Sequence, residues 1–269
     1  MGKPVRLPPS LREKVWGRTR LAPWFSDSER KIGEVWYVAK HELPLLVKLI
    51  FTSERLSVQV HPDDGEDGPR GKSEMWHILD AEPGAAIALG FRERITRERL
   101  REAATTGDLE QLLNWIPVKA GDTYYTKAHT VHAIGGGIVL CEIQQHSDVT
   151  YRLWDYGRPR ALHIDKAVAV SELDVHPGAA RPVVLSNGWE LLVRSKHFVT
   201  ESLRLAPDVE QRVSPENCQL WICLEGAATI GGEAVHQGEV WWVPEKGAQP
   251  AVRAQTRTRF LRTYVPRAT

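Results

Sequence analysis

Two histidines, a glutamine and a glutamate stand where strand periodicity could gather them around one ion. Side chains of a strand alternate between its faces. In Leu56-Ser57-Val58-Gln59-Val60-His61, Leu56, Val58 and Val60 then share one face, and Ser57, Gln59 and His61 share the other. If the apolar set packs on a neighbouring layer, Gln59 and His61 lie side by side in an interior. Glu74 follows in Gly71-Lys72-Ser73-Glu74-Met75-Trp76, and a hairpin through 62–71 would return it beside Gln59. The segment His129-Thr130-Val131-His132-Ala133-Ile134 offers two more imidazoles. On spacing alone either His129 or His132 could point inward. Two neutral imidazoles, a carboxylate and an amide oxygen suit zinc, with other borderline divalent ions possible. A divalent ion in that set keeps a net positive charge and remains a Lewis acid. Taken singly, each segment also reads as a solvated edge strand.

A third group spans 142–158 and holds Glu142, Asp148, Arg152 and Arg158 among Tyr151, Trp154 and Tyr156. Guanidinium groups bind phosphate through paired, charge-assisted hydrogen bonds. The competing reading is a solvated strand packed on its aromatics.

The elements that must position these residues read as strands. Short runs rich in β-branched and aromatic residues, bounded by Gly, Pro or Asp, occur at 45–51, 56–61, 75–79, 85–90, 122–125, 138–143 and 149–154. Many short strands with regular turns predict a mostly β protein. The exception lies at about 93–118. There Thr96 and Asp108 read as N-caps, with helical apolar spacing over 96–104 and 108–115. This is a small helical insert within the first β unit.

Bulk composition excludes several classes. The 269 residues are 42% hydrophobic and 26% charged, as expected of a globular chain with a substantial core. Lys plus Arg total 35 against 34 Asp plus Glu, so there is no electrostatic footprint for nucleic acid or an anionic membrane. No apolar run reaches the ~20 residues of a membrane span, and the start lacks a signal-peptide core. Three cysteines, Cys141, Cys218 and Cys223, form no disulfide framework and point to a reducing, cytoplasmic setting.

A faint repeat divides the chain. Glu74-Met75-Trp76 precedes an apolar strand, as does Gln219-Leu220-Trp221, and Gly121-Asp122 opens a strand as Gly238-Glu239 does. The predicted organisation is a first unit at 1–171, a linker through Pro177, Gly178 and Pro182, and a second unit at 183–269. In the repeat Glu74 corresponds to Gln219 and His132 to Gln249, so the second unit is expected to hold no metal.

Five stretches in order resemble the type I phosphomannose isomerases (mannose-6-phosphate isomerases) in their short bacterial form. They are LSVQVHPDD at 56–64, KSEMWHIL at 72–79, LLNWIPVKAGD at 112–122, VHAI at 131–134 and EIQQHSDVTYRLWDYGR at 142–158. The resemblance covers roughly the first 165 residues. It implies two cupin-type (jelly-roll) barrels in tandem and one catalytic zinc per chain. It favours Gln59, His61, Glu74 and His132 as ligands over His129. It implies interconversion of mannose 6-phosphate and fructose 6-phosphate through an enediol, in a monomer or homodimer. Lys72 matches the family's active-site lysine, and Glu142, Asp148 and Arg152 match its acidic and arginine positions. Arg158 stands where longer relatives have a lysine linked with phosphate binding. Lys72, beside a metal, is expected to have a lowered pKa. Lys72 and Asp148 are both candidate bases. The pattern departs at Lys127 and His129, where family members carry Pro and Gly, and the N-terminal sheet is abbreviated between Trp36 and Pro44. Two other readings are a sugar-phosphate-binding cupin without turnover and another metal-dependent cupin enzyme, such as a dioxygenase.

Overall fold

The computed structural model describes residues 2–212, 217–245 and 250–267. Strand accounts for 45% of it and helix for 8%. All strand pairs are antiparallel, and the four sheets are open, without a closed barrel.

The six-stranded sheet runs, edge to edge, Pro9–Arg18, Ile32–Tyr37, Leu45–Phe51, Ile138–Gln145, Glu74–Ala81 and Thr123–Thr126. The five-stranded sheet facing it runs Tyr151–Trp154, Val58–Val60, His132–Ile134, Ala86–Phe91 and Leu113–Pro117. Core residues such as Ile50, Trp76, Leu89 and Leu140 fill the space between them. The opposite face of the six-stranded sheet packs on a seven-stranded sheet through Val47, Leu49, Cys141, Ile222 and Leu261. That sheet in turn packs on a four-stranded one through Trp221, Ile230, Val252 and Phe260. Helices α1 (Arg97–Thr106), α2 (Leu109–Leu112) and α3 (Ile164–Val170) cover the outer face of the five-stranded sheet. Sheets covered on both sides should read as continuous apolar runs. Leu45–Phe51, with all seven residues buried, does so except at Lys48.

The repeat is visible in the strand order. Leu45–Phe51, Ile138–Gln145, Glu74–Ala81 and Thr123–Thr126 lie side by side, and so do Val199–Leu205, Thr258–Tyr264, Gln219–Glu225 and Val240–Val243. Glu74 and Gln219 open equivalent strands. The N-terminal strand Val5–Leu7 crosses this division and pairs with Val240–Val243, placing one strand from the start of the chain in the second half's sheet.

The helical insert is shorter than the spacing predicts. Thr96 does cap α1, its side chain accepting from the Arg99 N–H, and Gly107 ends it at φ 90°. Asp108 makes no capping bond, and from Leu113 onward the chain is a strand paired with Ala86–Phe91. Pairing along that sheet edge outweighs the helical spacing of Leu109, Leu112 and Leu113. Among the described residues no helix is long and apolar enough to cross a membrane.

Candidate metal centre and its cavity

Register places the functional side chains in facing rows. On the five-stranded sheet, Arg152 pairs with Gln59 and Gln59 with His132. On the six-stranded sheet, Trp36, Lys48, Glu142 and Trp76 pair in succession, and Gln144 pairs with Glu74 one step along. The expected alternation holds at Val58 and Val60, which pack under the helices while Gln59 and His61 face inward. Leu56 departs from it. It precedes the strand and joins the core between the two sheets.

His61, Glu74 and His132 converge, each about 1% exposed or less. His61 Nε2 is 3.6 Å from Glu74 Oε2, and His132 Nε2 is 3.4 Å from Glu74 Oε1. Each imidazole is oriented from behind. His61 Nδ1 lies 2.9 Å from the Val149 carbonyl and His132 Nδ1 2.8 Å from the Thr130 carbonyl. A carbonyl only accepts, so Nδ1 carries the hydrogen in both rings and the Nε2 lone pairs point at Glu74. Burial lowers His61 well below its usual range and takes His132 down to about 4, so both rings are neutral. Gln59 Nε2 lies 3.5 and 3.3 Å from the two Nε2 atoms, and its Oε1 accepts from Ser57 Oγ. Exchanging the amide ends turns oxygen toward the imidazoles and keeps a hydrogen bond to the serine hydroxyl.

The donor set fits a divalent cation. Glu74 Oε1 is buried with no hydrogen-bond partner among the described residues and faces the His132 lone pair, a costly state for a carboxylate oxygen unless a cation meets it. Burial and the neighbouring Glu142 raise the Glu74 pKa. Lys72 Nζ reaches into the cluster, 3.0 Å from Glu74 Oε2 and 3.0 Å from His61 Nε2. Burial alone would lower the Lys72 pKa, but the carboxylates of Glu74 and Glu142 outweigh it and raise the value. Here the ammonium group answers the carboxylate.

A cavity of about 290 Å³ opens beside the centre. Gln59, Lys72, Glu142, Asp148 and Arg152 line it, so the register brings these predicted residues together. Burial would raise Glu142, yet Lys48 and Lys72 overcome it and hold its carboxyl low. Its oxygens take Lys48 Nζ at 2.9 Å and Trp76 Nε1 at 3.1 Å. Among the described residues Arg152 has no side-chain hydrogen-bond partner, and its Nε is buried. Burial and the nearby Arg160 lower its pKa.

Two predicted residues lie elsewhere. Arg158 does not line the cavity; its guanidinium bonds the Arg55 carbonyl at 2.8 Å, Glu54 at 3.2 Å and Asp155 at 3.4 Å. His129 turns to Glu66 at 2.8 Å, leaving the centre to His132. Its φ of 73° is left-handed backbone, which favours a residue without Cβ.

Cavity residues missed by sequence reasoning include Arg12, Lys14, Trp36, Lys48 and Arg160. Lys48 had a signal, as a lone lysine inside the apolar run Leu45–Phe51. In the second half Gln219 is buried and accepts from Trp221 Nε1 at 3.0 Å. Gln249 lies outside the described residues. Among the described residues, no metal-type triad gathers between the second pair of sheets.

Fold and site together define a protein of stacked antiparallel sheets with a buried His/Glu/His centre beside a cation-rich cavity. No family model matches the chain. Individual proteins do. Mannose-6-phosphate isomerase of Streptococcus mutans is 33% identical over 89% of this chain and 92% of its own. Mannose-6-phosphate isomerase ManA of Bacillus subtilis is 34% identical over 65% and 70%. Among solved structures, mannose 6-phosphate isomerase from Bacillus subtilis superposes with a TM-score of 0.88 at 26% identity, covering 98% of this chain and all of that one. A phosphomannose isomerase from Salmonella typhimurium, 16% identical with a TM-score of 0.80, shares the fold. The chain belongs to the mannose-6-phosphate isomerase family, the type I phosphomannose isomerases.

Proposed function

We propose that the protein is a zinc-dependent aldose–ketose isomerase that interconverts mannose 6-phosphate and fructose 6-phosphate through an enediol. The observation that carries this reading is the centre itself: two neutral imidazoles converging on a buried carboxylate beside a cavity rich in cations. Gln59, His61, Glu74 and His132 would hold the ion. Zinc bound there supplies a Lewis acid for the substrate's oxygens. The four sheets are read as two stacked jelly-roll units of the cupin class, about 1–171 and 183–269, with Val5–Leu7 lent to the second.

Isomerisation needs a proton taken from C2 and returned at C1, while a proton passes from O2 to O1. Asp148 lines the cavity, and its carboxylate has no hydrogen-bond partner among the described residues, which suits the group that takes the carbon-bound proton. Lys72, an ammonium beside the centre, suits donation to the sugar oxygens. Glu142 is committed to Lys48 and Trp76, so its role is to orient them. Arg152, with its guanidinium unpaired, can stabilise the enediolate.

The test is turnover of mannose 6-phosphate in deuterium oxide. An enediol route incorporates solvent deuterium into the product. Product still without deuterium after prolonged equilibration, when even a shielded base has exchanged, would point to hydride transfer and overturn the mechanism, and absence of product would overturn the activity.

A further inference from the structure

We propose that Arg12, on the Pro9–Arg18 strand, is the substrate's phosphate anchor. This rests on the phosphosugar reading above. Six cations line the cavity, and four already have a carboxylate. Lys14 meets Glu34 at 3.3 Å, Lys48 meets Glu142 at 2.9 Å, and Lys72 meets Glu74 at 3.0 Å. Arg160 grips Asp155 with two bonds of 2.6 Å. Only Arg12 and Arg152 lack an acidic partner among the described residues.

The two free guanidiniums come from different sheets. Arg152 is paired in register with Gln59, at the metal centre. Arg12 is exposed, and four strand steps separate its strand from that of Glu74, about 19 Å of sheet at ~4.8 Å per step. The long Arg12 side chain lies over Trp36 and lines the same cavity as Gln59 and Arg152, so a sugar with its reacting carbons at the centre can present its far end to Arg12.

Arg12 is also held ready. Its guanidinium lies 4.3 Å from the centre of the Trp36 ring. Trp36 in turn is fixed by donation from Nε1 to Glu34 Oε2 at 2.8 Å. Stacking on an aromatic face orients a guanidinium and leaves its in-plane N–H donors for an acceptor. A phosphate dianion is the ligand whose charge and geometry match a free, planar, stacked arginine.

The test compares wild type, Arg12→Ala, Arg12→Lys and Arg158→Ala in two measurements. One is calorimetric titration with inorganic phosphate. The other is isomerase kinetics with mannose 6-phosphate. Arg12→Ala should lose phosphate affinity and raise KM by about 10- to 100-fold, with kcat changed far less, because a remote group binds ground and transition states alike. Arg12→Lys should recover part of the affinity, and Arg158→Ala should behave as wild type. Equal phosphate affinity in wild type and Arg12→Ala, or no phosphate binding by either, overturns the proposal. If wild type turns over mannose 6-phosphate while Arg12→Ala is unaltered, the anchor fails and the activity stands. If wild type binds phosphate through Arg12 without turnover, the anchor stands and the isomerase reading fails.

Discussion

Among single residues, Lys72 and Glu74 carry the sharpest consequences. Lys72 competes with a metal for Glu74 and His61, because its ammonium stands 3.0 Å from both. Replacing it by methionine should therefore leave zinc occupancy intact or tighter while turnover falls by at least 100-fold, since the proton donor is gone. Loss of zinc from Lys72→Met would show instead that the lysine supports the centre. Glu74→Gln removes the anionic ligand and should strip the metal, read by elemental analysis. His129→Gly separates the two candidate imidazoles. Zinc content should be unchanged, because His129 faces Glu66. Stability should move by no more than about 1 kcal/mol, as relief of the left-handed backbone offsets the loss of a partly exposed hydrogen bond to Glu66. A drop in zinc content in that variant would return His129 to the ligand set.

Strands and sheets decide which of these groups can meet, and they also set the response to acid. His77 lies on the face of the Glu74–Ala81 strand turned to the seven-stranded sheet, as Met75 does. Burial, aided by Arg259 and Arg204, takes its pKa down to about 3. The folded state thus refuses a proton that the unfolded chain accepts near pH 6.5. Its contribution is fully present above that pH and is lost as pH falls toward 3, at up to about 1.4 kcal/mol per unit. His77→Gln should therefore show a shallower loss of stability between pH 6 and 4 in denaturant titrations. Parallel losses in both proteins would place the acid sensitivity elsewhere. The same strands account for what was legible in the sequence. Leu45–Phe51 was read at its observed bounds, because a doubly covered strand is apolar but for the single Lys48. The Gln59 and His61 face was legible because alternation is local. Leu113–Pro117 was misread in part as helix, since its partner Ala86–Phe91 is distant in sequence. Arg12 was not legible as a site residue. Its strand is charged and half exposed, and only the sheet order brings it to the cavity.

At the scale of the whole molecule, one stacked pair of sheets carries a centre, and among the described residues its topological repeat gathers none. Glu74 and Gln219 open equivalent strands, and a neutral amide replaces the carboxylate in the second. A second zinc would need an anionic ligand there. The seven-stranded sheet instead backs the six-stranded one, so the second half braces the sheet that carries Lys48, Glu74 and Glu142. Truncation of a large buried side chain at this contact, such as Leu49→Ala, should cost about 2–5 kcal/mol in chemical unfolding. A loss under 1 kcal/mol would mean the two halves are only loosely packed. The central claim is tested most directly by titrating metal-free protein with zinc while following bound metal and isomerisation of mannose 6-phosphate together. Activity should rise linearly and reach its plateau at about one zinc per chain. Full activity in the metal-free protein, or a plateau that needs two zinc ions per chain, would contradict the account.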